Sequence, residues 1–349
     1  MAYDLKGFKY DSTKFFCRCM KDQVTEIRVS RPNIVQAEAM ARRKRTSITE
    51  DGKLTILATD HPARRVTSVG DDPFKMVNRL QYLGRVLRVI AASEFDGVMG
   101  PTDVIEDLFI VNYLVRQGGG PSFLDDKVIL GCMNRGGLAG CVFEMDDRMT
   151  SFTAESIARL GLDGAKIMFR LEPDNPDSLA TIDYCVKAVS DMNAYGLPTF
   201  IEPLPQKKDG GKYKTLKEAN ELARIAGVAS ALGDSSVNIW LKLPYAANYE
   251  IVADSTTCPI LMLGGEALGE PTPVLREFAE GMKAGANVRG ALVGRNMLFP
   301  GDDDPMAVAM AVQRIVHDGL SAEEAVEYIA SVRGQNVDML HKYIPCDCC

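Results

Sequence analysis

The chain has 349 residues, 46% of them hydrophobic and 25% charged, which is typical of a soluble globular protein. Its formal net charge of −7 provides no general attraction to nucleic acid or to an anionic membrane, so we expect neither as a partner. No apolar run approaches the roughly 20 residues that span a bilayer, and residues 1–22 lack the apolar core of a secretory signal.

Residues 1–50 are predicted to form an N-terminal extension that packs on a single main domain at residues 51–349. Within the extension, the segment NIVQAEAMARRKR at 33–45 has a helical pattern. We interpret its basic end as the solvated last turn of that helix, where the helix dipole favours cations, rather than as a nucleic-acid site.

Nine cysteines are present, and four of them lie inside apolar segments, where reduced thiols pack as small hydrophobic groups. This usage favours a reducing cytoplasm. The others cluster near the two ends of the chain: Cys17, Cys19, Cys346, Cys348 and Cys349. Their C-x-C spacing differs from the usual C-x₂₋₄-C of zinc sites, so reduced thiols near mobile ends are favoured over a structural metal.

Eight short apolar runs follow the extension, separated by helical patterns. The runs span residues 54–60, 95–100, 127–134, 164–171, 198–204, 237–243, 259–265 and 290–296. Alternating strands and helices predict a parallel sheet, and eight such units in about 250 residues predict an α/β fold of the closed (β/α)₈ TIM-barrel type, with a helical tail at its C-terminus. A doubly wound open sheet is the alternative, but its usual glycine-rich first turn is missing from DHPARR at 60–65.

Capping signals mark several of the intervening helices. Thr215 and Glu218 have the spacing of a capping box, and so do Ser321 and Glu324. The polar loop at 205–214, which contains two glycines, follows the fifth strand at the face where barrel enzymes work, and we interpret it as a mobile lid.

The sixth run, VNIWLKL, contains a lysine in an otherwise apolar strand. Side chains alternate between the two faces of a strand, so Asn238, Trp240 and Lys242 share the face opposite the aliphatic residues. The aliphatic face suits the layer under the helices, which leaves Lys242 in the lumen. It lies near the carboxyl end of the strand, where barrels place their active sites.

Other strands place charged groups at the same level: Asp60, Lys166 and Glu202. Two cations and two anions are costly to bury unless they pair or react. Adjacent lysines and burial lower a lysine pKa, and a neutral amine attacks a carbonyl to form a Schiff base. A carboxylate such as Glu202 can then transfer protons. The alternative is purely structural, with Lys242 paired to Glu202 and Lys166 to Asp60.

A candidate phosphate site follows strands seven and eight, where barrels commonly bind phosphate. Gly264 and Gly265 end the seventh run, and Gly294 and Arg295 end the eighth. Backbone N–H groups and a guanidinium hold phosphate oxygens well, although the glycines also suit tight turns and Arg295 a surface salt bridge. His61, next to Asp60, is a candidate substrate contact or a histidine capped within its loop.

Several segments together resemble the class I aldolases of the DeoC/LacD group, which includes tagatose-bisphosphate aldolases, archaeal-type fructose-bisphosphate aldolases and LsrF-like thiolases. The segments are LATDHPAR, LDGAKIMFRLEPD, FIEPL, WLKLPY, CPILMLGGE and GALVGRNMLFPGDDDPMAVAMAVQRIVH, within about residues 54–318. The resemblance implies a Schiff-base lysine at Lys242, a proton-transfer group at Glu202, and supporting roles for Asp60 and Lys166. It also implies phosphate binding by Gly265, Gly294 and Arg295.

The segment CMNRGGLAGCVFEMDDRMT after the third strand departs from the tagatose-type enzymes. Asn134 and Arg135 there are candidates to contact the far end of a substrate. The whole chain is similar to an actinobacterial subgroup near inositol catabolism genes, which suggests cleavage of 2-deoxy-5-keto-gluconate 6-phosphate to dihydroxyacetone phosphate and malonate semialdehyde.

We therefore expect a metal-independent retro-aldol lyase that needs no cofactor, acts on a phosphorylated small molecule and assembles as a homo-oligomer. A metal-dependent aldolase would need several histidine ligands, and the chain has three histidines in all. The alternatives are a Schiff-base thiolase that uses coenzyme A, a non-catalytic sugar-phosphate sensor, and a structural barrel with paired charges in its lumen.

Overall fold

A nine-stranded sheet is the framework of the computed structural model, which describes residues 3–135 and 137–346. The strands are β1 (Leu54–Ala58), β2 (Gly97–Gly100), β3 (Val128–Cys132), β4 (Gly164–Leu171), β5 (Thr199–Asp209), β6 (Lys212–Thr215), β7 (Ile239–Pro244), β8 (Ile260–Leu263) and β9 (Val288–Val293). All except β6 pair in parallel, and the pairing of β9 with β1 and of β4 with β5 closes the ring. The predicted TIM barrel is confirmed, and each of the eight predicted runs overlaps one barrel strand.

Helices lie between the barrel strands and at both ends of the chain. They are α1 (Arg18–Ser30), α2 (Ile34–Ala41), α3 (Arg79–Ala92), α4 (Thr102–Gln117), α5 (Ala154–Arg159), α6 (Asp177–Ala194), α7 (Ala219–Ser230), α8 (Glu250–Ala253), α9 (Thr272–Gly281), α10 (Arg295–Leu298), α11 (Pro305–Asp318) and α12 (Ala322–Val332). The predicted capping box of Ser321 and Glu324 is confirmed at the start of α12. Over the described ranges, none of these helices combines the length and apolar character needed to cross a membrane.

The loop at 205–214, predicted to be a mobile lid, forms a β-hairpin. β5 continues through Asp209 and pairs antiparallel with β6 across Gly210 and Gly211, whose φ values of 56° and 82° suit a two-residue type I′ turn. The predicted capping box at Thr215 is wrong, because Thr215 belongs to β6 and its hydroxyl accepts a hydrogen bond from Gln206. Helix α7 starts at Ala219, after Glu218, whose side chain makes no capping hydrogen bond.

The basic run at residues 42–45 anchors the N-terminal extension near the amino ends of the barrel strands. Helix α2 ends at Ala41, before the run, so the interpretation as a solvated last helical turn is wrong. The guanidinium of Arg42 is buried; it donates to the carbonyl of Gly161 and forms an ion pair with Asp163 at 2.9 Å. Arg45 forms an ion pair with Asp96, also at 2.9 Å.

Apolar side chains form two separate layers, one under the helices and one inside the barrel. The buried residues of the inner layer are Leu54, Ile56, Ala58, Met99, Val128, Leu130, Cys132, Phe200, Leu261 and Leu292. Trp240 packs against them, and its ring stacks on Phe200 with the ring centroids 5.4 Å apart. These residues fill the amino-terminal half of the lumen and leave its carboxyl-terminal half to polar groups.

A fully buried ion pair fixes the start of α11 against α3. Arg88 donates through Nε and Nη2 to the two carboxylate oxygens of Asp304, at 3.0 and 2.7 Å, and neither side chain is exposed. Asp304 also caps α11 by accepting from the backbone N–H of Met306.

We expect the substitution Asp304→Asn to lower the free energy of unfolding by about 3–5 kcal/mol, because it leaves the Arg88 charge buried without its counter-ion. Urea denaturation followed by circular dichroism measures the change. Asp318→Asn is the matched control, since Asp318 pairs with Arg314 at a partly exposed site and should cost less than about 1 kcal/mol. Equal losses in the two variants would contradict this role for the buried pair.

Candidate active site

Strand alternation places a layer of charged side chains directly above the apolar lumen. Asp60 follows Ala58 by two residues, Glu202 follows Phe200 on β5, and Lys242 follows Trp240 on β7. Lys166 on β4 lies one step lower, in register with Phe200, but its ammonium reaches this layer and contacts Asp60 and Glu202. The structure therefore brings together all four residues that the sequence nominated for catalysis.

Glu202 joins the two lysines of this layer into one network. Lys166 Nζ lies 2.8 Å from Asp60 Oδ2 and 2.7 Å from Glu202 Oε2, and Lys242 Nζ lies 3.0 Å from the same Glu202 oxygen. Both ion pairs of the structural alternative are therefore present. The two lysines nevertheless differ in access, because Lys242 lines a cavity while Lys166 is completely buried.

The pKa values of the two lysines shift in opposite directions. Burial lowers the pKa of Lys242, and Lys166 lowers it further, while Glu202 and Asp60 offset only part of these effects. Burial also acts to lower the pKa of Lys166, but the attraction of Asp60 and Glu202 outweighs it and raises that pKa. The expectation that each lysine lowers the pKa of the other is therefore wrong for the net shift of Lys166.

The carboxylates are held in their ionised form. Burial alone would raise the pKa of Glu202, but Lys166 and Lys242 lower it to about 2. Burial likewise opposes ionisation of Asp60, and the same two lysines bring its pKa well below the ordinary value. At neutral pH both groups are anions. The pKa of His61 is lowered to about 4, chiefly by burial, so its imidazole is neutral.

A cavity of about 630 Å³ lies at the carboxyl ends of the strands, with Lys242 in its wall. Its cationic lining residues are Arg64, Arg170, Lys214, Lys217, Lys242 and Arg295, and its anionic ones are Asp60, Glu144, Glu202 and Glu266. Cations thus outnumber anions there, although the chain as a whole is acidic. Such a cavity attracts anionic small molecules.

One side of this cavity has the makings of a phosphate site. Gly265 lines the cavity with a φ of 72°, and the Lys217 ammonium lies 4.0 Å from the point where a Cβ on Gly265 would be. Arg295 lines the same region, and its guanidinium is partly buried. Its Nη1 lies 3.9 Å from Glu266 Oε1, a long ion pair, and its Nε has no hydrogen-bond partner among the described residues. A mostly uncompensated guanidinium beside a bare backbone turn can bind phosphate oxygens.

The other two predicted glycines, Gly264 and Gly294, affect this phosphate site without lining the cavity. Asn296 donates to the carbonyl of Gly264 and so ties the loop after β8 to the loop after β9. A side chain at Gly294 would collide with the imidazole of His61, so the missing Cβ lets His61 reach the cavity wall. Gly264 and Gly294 are not among the cavity-lining residues, whereas His61 is.

Arg135 lies outside the cavity: it is exposed, and its backbone N–H donates to Thr150. Asn134 is buried; its amide donates to the carbonyl of Met168 and accepts from the Met168 N–H, at 2.6 and 2.8 Å, which joins the segment after β3 to β4. Two arginines that the sequence reading did not single out, Arg64 and Arg170, line the cavity instead. Both form ion pairs with Asp147, at 2.9 and 3.5 Å.

The hairpin adds a further wall that the sequence reading did not foresee in detail. Gln206, Tyr213, Lys214 and Thr215 all line the cavity. The hairpin is tied to the loop after β4, because the amide of Asn175 donates to the Tyr213 hydroxyl at 2.7 Å.

A family model described as Cgl0159-like matches residues 52–316. The crystal structure of Cgl0159 from Corynebacterium glutamicum is 34% identical and covers 86% of this chain and 97% of that chain, with a TM-score of 0.79. An uncharacterized aldolase, SSO3226 of Saccharolobus solfataricus, is 29% identical over 142 residues, 40% of this chain and 48% of that protein. This chain therefore matches about half the length of that relative.

The barrel also resembles a Schiff-base-forming fructose-1,6-bisphosphate aldolase. That similarity has a TM-score of 0.53 at 19% identity and covers 81% of this chain and 100% of the other. At this identity it establishes the shared fold alone.

Proposed function

This chain belongs to the Cgl0159-like family, and from that premise we propose that it is a class I aldolase, a lyase that cleaves a phosphorylated keto sugar or sugar acid through a Schiff base on Lys242. One observation carries the proposal: Lys242 has a lowered pKa and faces a cavity, while its neighbour Lys166 remains fully buried and charged. The similarity to an aldolase of Saccharolobus solfataricus supports the same reaction class.

The proposed reaction begins when the neutral amine of Lys242 adds to the ketone carbon of the substrate. Loss of water gives a protonated imine. Glu202, ionised and 3.0 Å from Lys242 Nζ, accepts the proton of the hydroxyl on the carbon β to the imine. The bond between the α and β carbons then breaks, its electron pair forms an enamine, and an aldehyde leaves. Protonation of the enamine and hydrolysis release the second product and restore the lysine.

Lys166 and Asp60 support this chemistry by holding Glu202 in place. Lys166 contacts both carboxylates within 2.8 Å and keeps its charge, so Glu202 remains an anion after Lys242 has reacted. On this proposal the phosphate of the substrate binds at Gly265 and Arg295, with the Lys217 ammonium beside them.

We propose 2-deoxy-5-keto-gluconate 6-phosphate as the substrate, with dihydroxyacetone phosphate and malonate semialdehyde as the products. Such a molecule is anionic at both ends. Besides Lys242, the cations that line the cavity include Arg295 and Lys217, which lie near Glu266 and Gly265, and Arg64 and Arg170, which both pair with Asp147. Arg64 and Arg170 are already paired with acidic residues, which suits a single carboxylate better than a second phosphate.

The test is sodium borohydride reduction in the presence of candidate keto phosphates, followed by peptide mass spectrometry. We expect a covalent adduct on Lys242. Lys127 is a built-in control: burial lowers its pKa to about 8, but it donates to the carbonyls of Ser93 and Phe95, away from the cavity. Equal labelling of Lys127, or tight binding without any adduct, would overturn the proposal, and turnover that requires coenzyme A would favour a thiolase.

The rate of trapping should depend on pH through the amine of Lys242. Only the neutral amine reacts, and its fraction increases as the pH rises through the lysine pKa. Because burial and Lys166 lower that pKa, we expect the midpoint of the rate increase to lie below pH 10.5, the ordinary lysine value. Rapid-quench trapping across a pH series measures this; a midpoint at or above pH 10.5 would contradict a lowered pKa.

A further inference from the structure

Thiols from opposite ends of the chain meet outside the barrel sheet, where Cys17 is buried and Cys346 is partly exposed. Cys17 Sγ lies 3.5 Å from Cys346 Sγ, although the two residues are 329 positions apart. Cys19 lies beside them: the amide of Gln23 contacts Cys19 Sγ at 3.6 Å and Cys346 Sγ at 3.8 Å. Cys348 and Cys349, which the sequence grouped with them, lie outside the described residues.

Specific contacts hold the C-terminal segment in this position. The amide of Gln23 on α1 also donates to the carbonyl of Pro345 at 3.0 Å, and the side chains of Leu340 and Ile344 are buried. The carbonyl of Tyr343 packs so closely on Gly118 that a Cβ there would overlap it. The meeting of the two thiols therefore follows from the packing of the residues that precede Cys346.

The thiols lie at the end of the barrel opposite the cavity. Helix α4 leads away from the carboxyl end of β2, so its own C-terminus, where Gly118 contacts the tail, is at the far end. Helix α1 runs antiparallel to α4, because Arg28 near its C-terminus pairs with Asp107 in the first half of α4, while Cys17 before its N-terminus contacts the tail that packs on Gly118 at the end of α4. The residue that precedes α1, Cys17, is therefore remote from Lys242.

We propose that Cys17 and Cys346 are a redox-responsive pair that forms a disulfide with a disulfide oxidant such as glutathione disulfide and thereby links the two ends of the chain. The thiolate of Cys346, which is partly exposed, attacks one oxidant sulfur and releases one glutathione thiolate. Cys17 then attacks Cys346 Sγ and releases the second glutathione, so that two thiols are oxidised and one glutathione disulfide is reduced. The proposal is independent of the activity proposed above.

The geometry favours a covalent pair over a metal site. The sulfurs need to approach by about 1.5 Å to reach a bond of about 2.05 Å, which a change of side-chain rotamer near a chain end can supply. Among the described residues, no group of three or more His, Cys, Asp or Glu side chains is placed to hold a metal ion. Burial and the neighbouring thiols raise the pKa of Cys346, so we expect slow oxidation that accelerates at mildly alkaline pH.

The test treats the full chain with excess glutathione disulfide at mildly alkaline pH, blocks the remaining thiols and maps cross-linked peptides. We expect a peptide that joins Cys17 to Cys346, and an increase of about 5 °C in Tm, because the link constrains nearly the whole unfolded chain. Cys17→Ser and Cys346→Ser should each remove both effects. Cys141→Ser is the matched control, since Cys141 is a partly exposed cysteine beside Arg65, and it should retain both.

Three results would overturn the proposal. The first is full alkylation of Cys17 and Cys346 after oxidation, and the second is a predominant link through Cys19. The third is protection of the three thiols by one equivalent of zinc without any cross-link in the oxidised protein, which would identify a metal site instead. The peptide map of the wild-type chain gives this answer even if a serine variant fails to fold.

Discussion

Replacing Lys242 with methionine is expected to abolish turnover, with a loss of about 10⁴-fold or more, and to remove borohydride trapping while the barrel remains folded. The reason is chemical: no other lysine combines a lowered pKa with a place in the wall of this cavity among the described residues. Methionine keeps the length and apolar stem of the side chain. Steady-state kinetics measure the loss, and circular dichroism verifies the fold.

The matched control is Lys187→Met, which makes the same chemical change on the exposed face of α6. Lys187 pairs with Asp191 at 2.8 Å in solvent, so this variant should retain its rate within about 2-fold. Near-normal turnover in the Lys242 variant would refute the Schiff-base mechanism, whatever the control shows.

The second large effect is expected from Glu202→Gln, which should lower kcat by about 100- to 1000-fold because it removes the group that accepts the substrate proton. It should also alter the pH profile in a definite direction. Glu202 raises the pKa of Lys242, so its neutralisation lowers that pKa further. The midpoint of borohydride trapping should therefore move to lower pH even as turnover falls.

A loss of turnover together with trapping at lower pH distinguishes the loss of proton transfer from a general distortion of the site. A variant that merely distorts the site would lose both trapping and turnover. Glu221→Gln on α7 is the control, since Glu221 pairs with Arg224 on the surface and lies outside the cavity. Turnover of Glu202→Gln close to wild type, or a trapping midpoint at higher pH, would be inconsistent with the role assigned to Glu202.

The sequence sufficed for the barrel and for the charged layer because both depend on local periodicity. A strand repeats every two residues, so the side on which Lys242 lies follows from Trp240 and from the aliphatic residues between. The same rule places Arg170 on the same face of β4 as Lys166, four residues earlier. No local pattern predicts the partner of Arg170, because Glu144 lies in the long loop after β3.

The two incorrect helix interpretations have a common cause. Thr215 and Glu218 carry a valid capping signal, but Thr215 pairs with Gln206 across the hairpin, and that contact prevails. The glycine pair at the hairpin turn was the competing local signal. In the extension, the charges of Arg42 and Arg45 matched a helix end equally well. Their acidic partners lie far along the chain and become visible only once the barrel is assembled.

On the mechanism proposed above, the inner apolar layer that contains Phe200, with Trp240 packed against it, has a consequence for the order of events in catalysis. With the lower lumen filled, both fragments of a cleaved substrate must depart through the same opening by which it arrived. The aldehyde, which is not covalently attached, is free to diffuse away first. The fragment still bonded to Lys242 must wait for hydrolysis, and the water for that step enters along the path the aldehyde has just vacated.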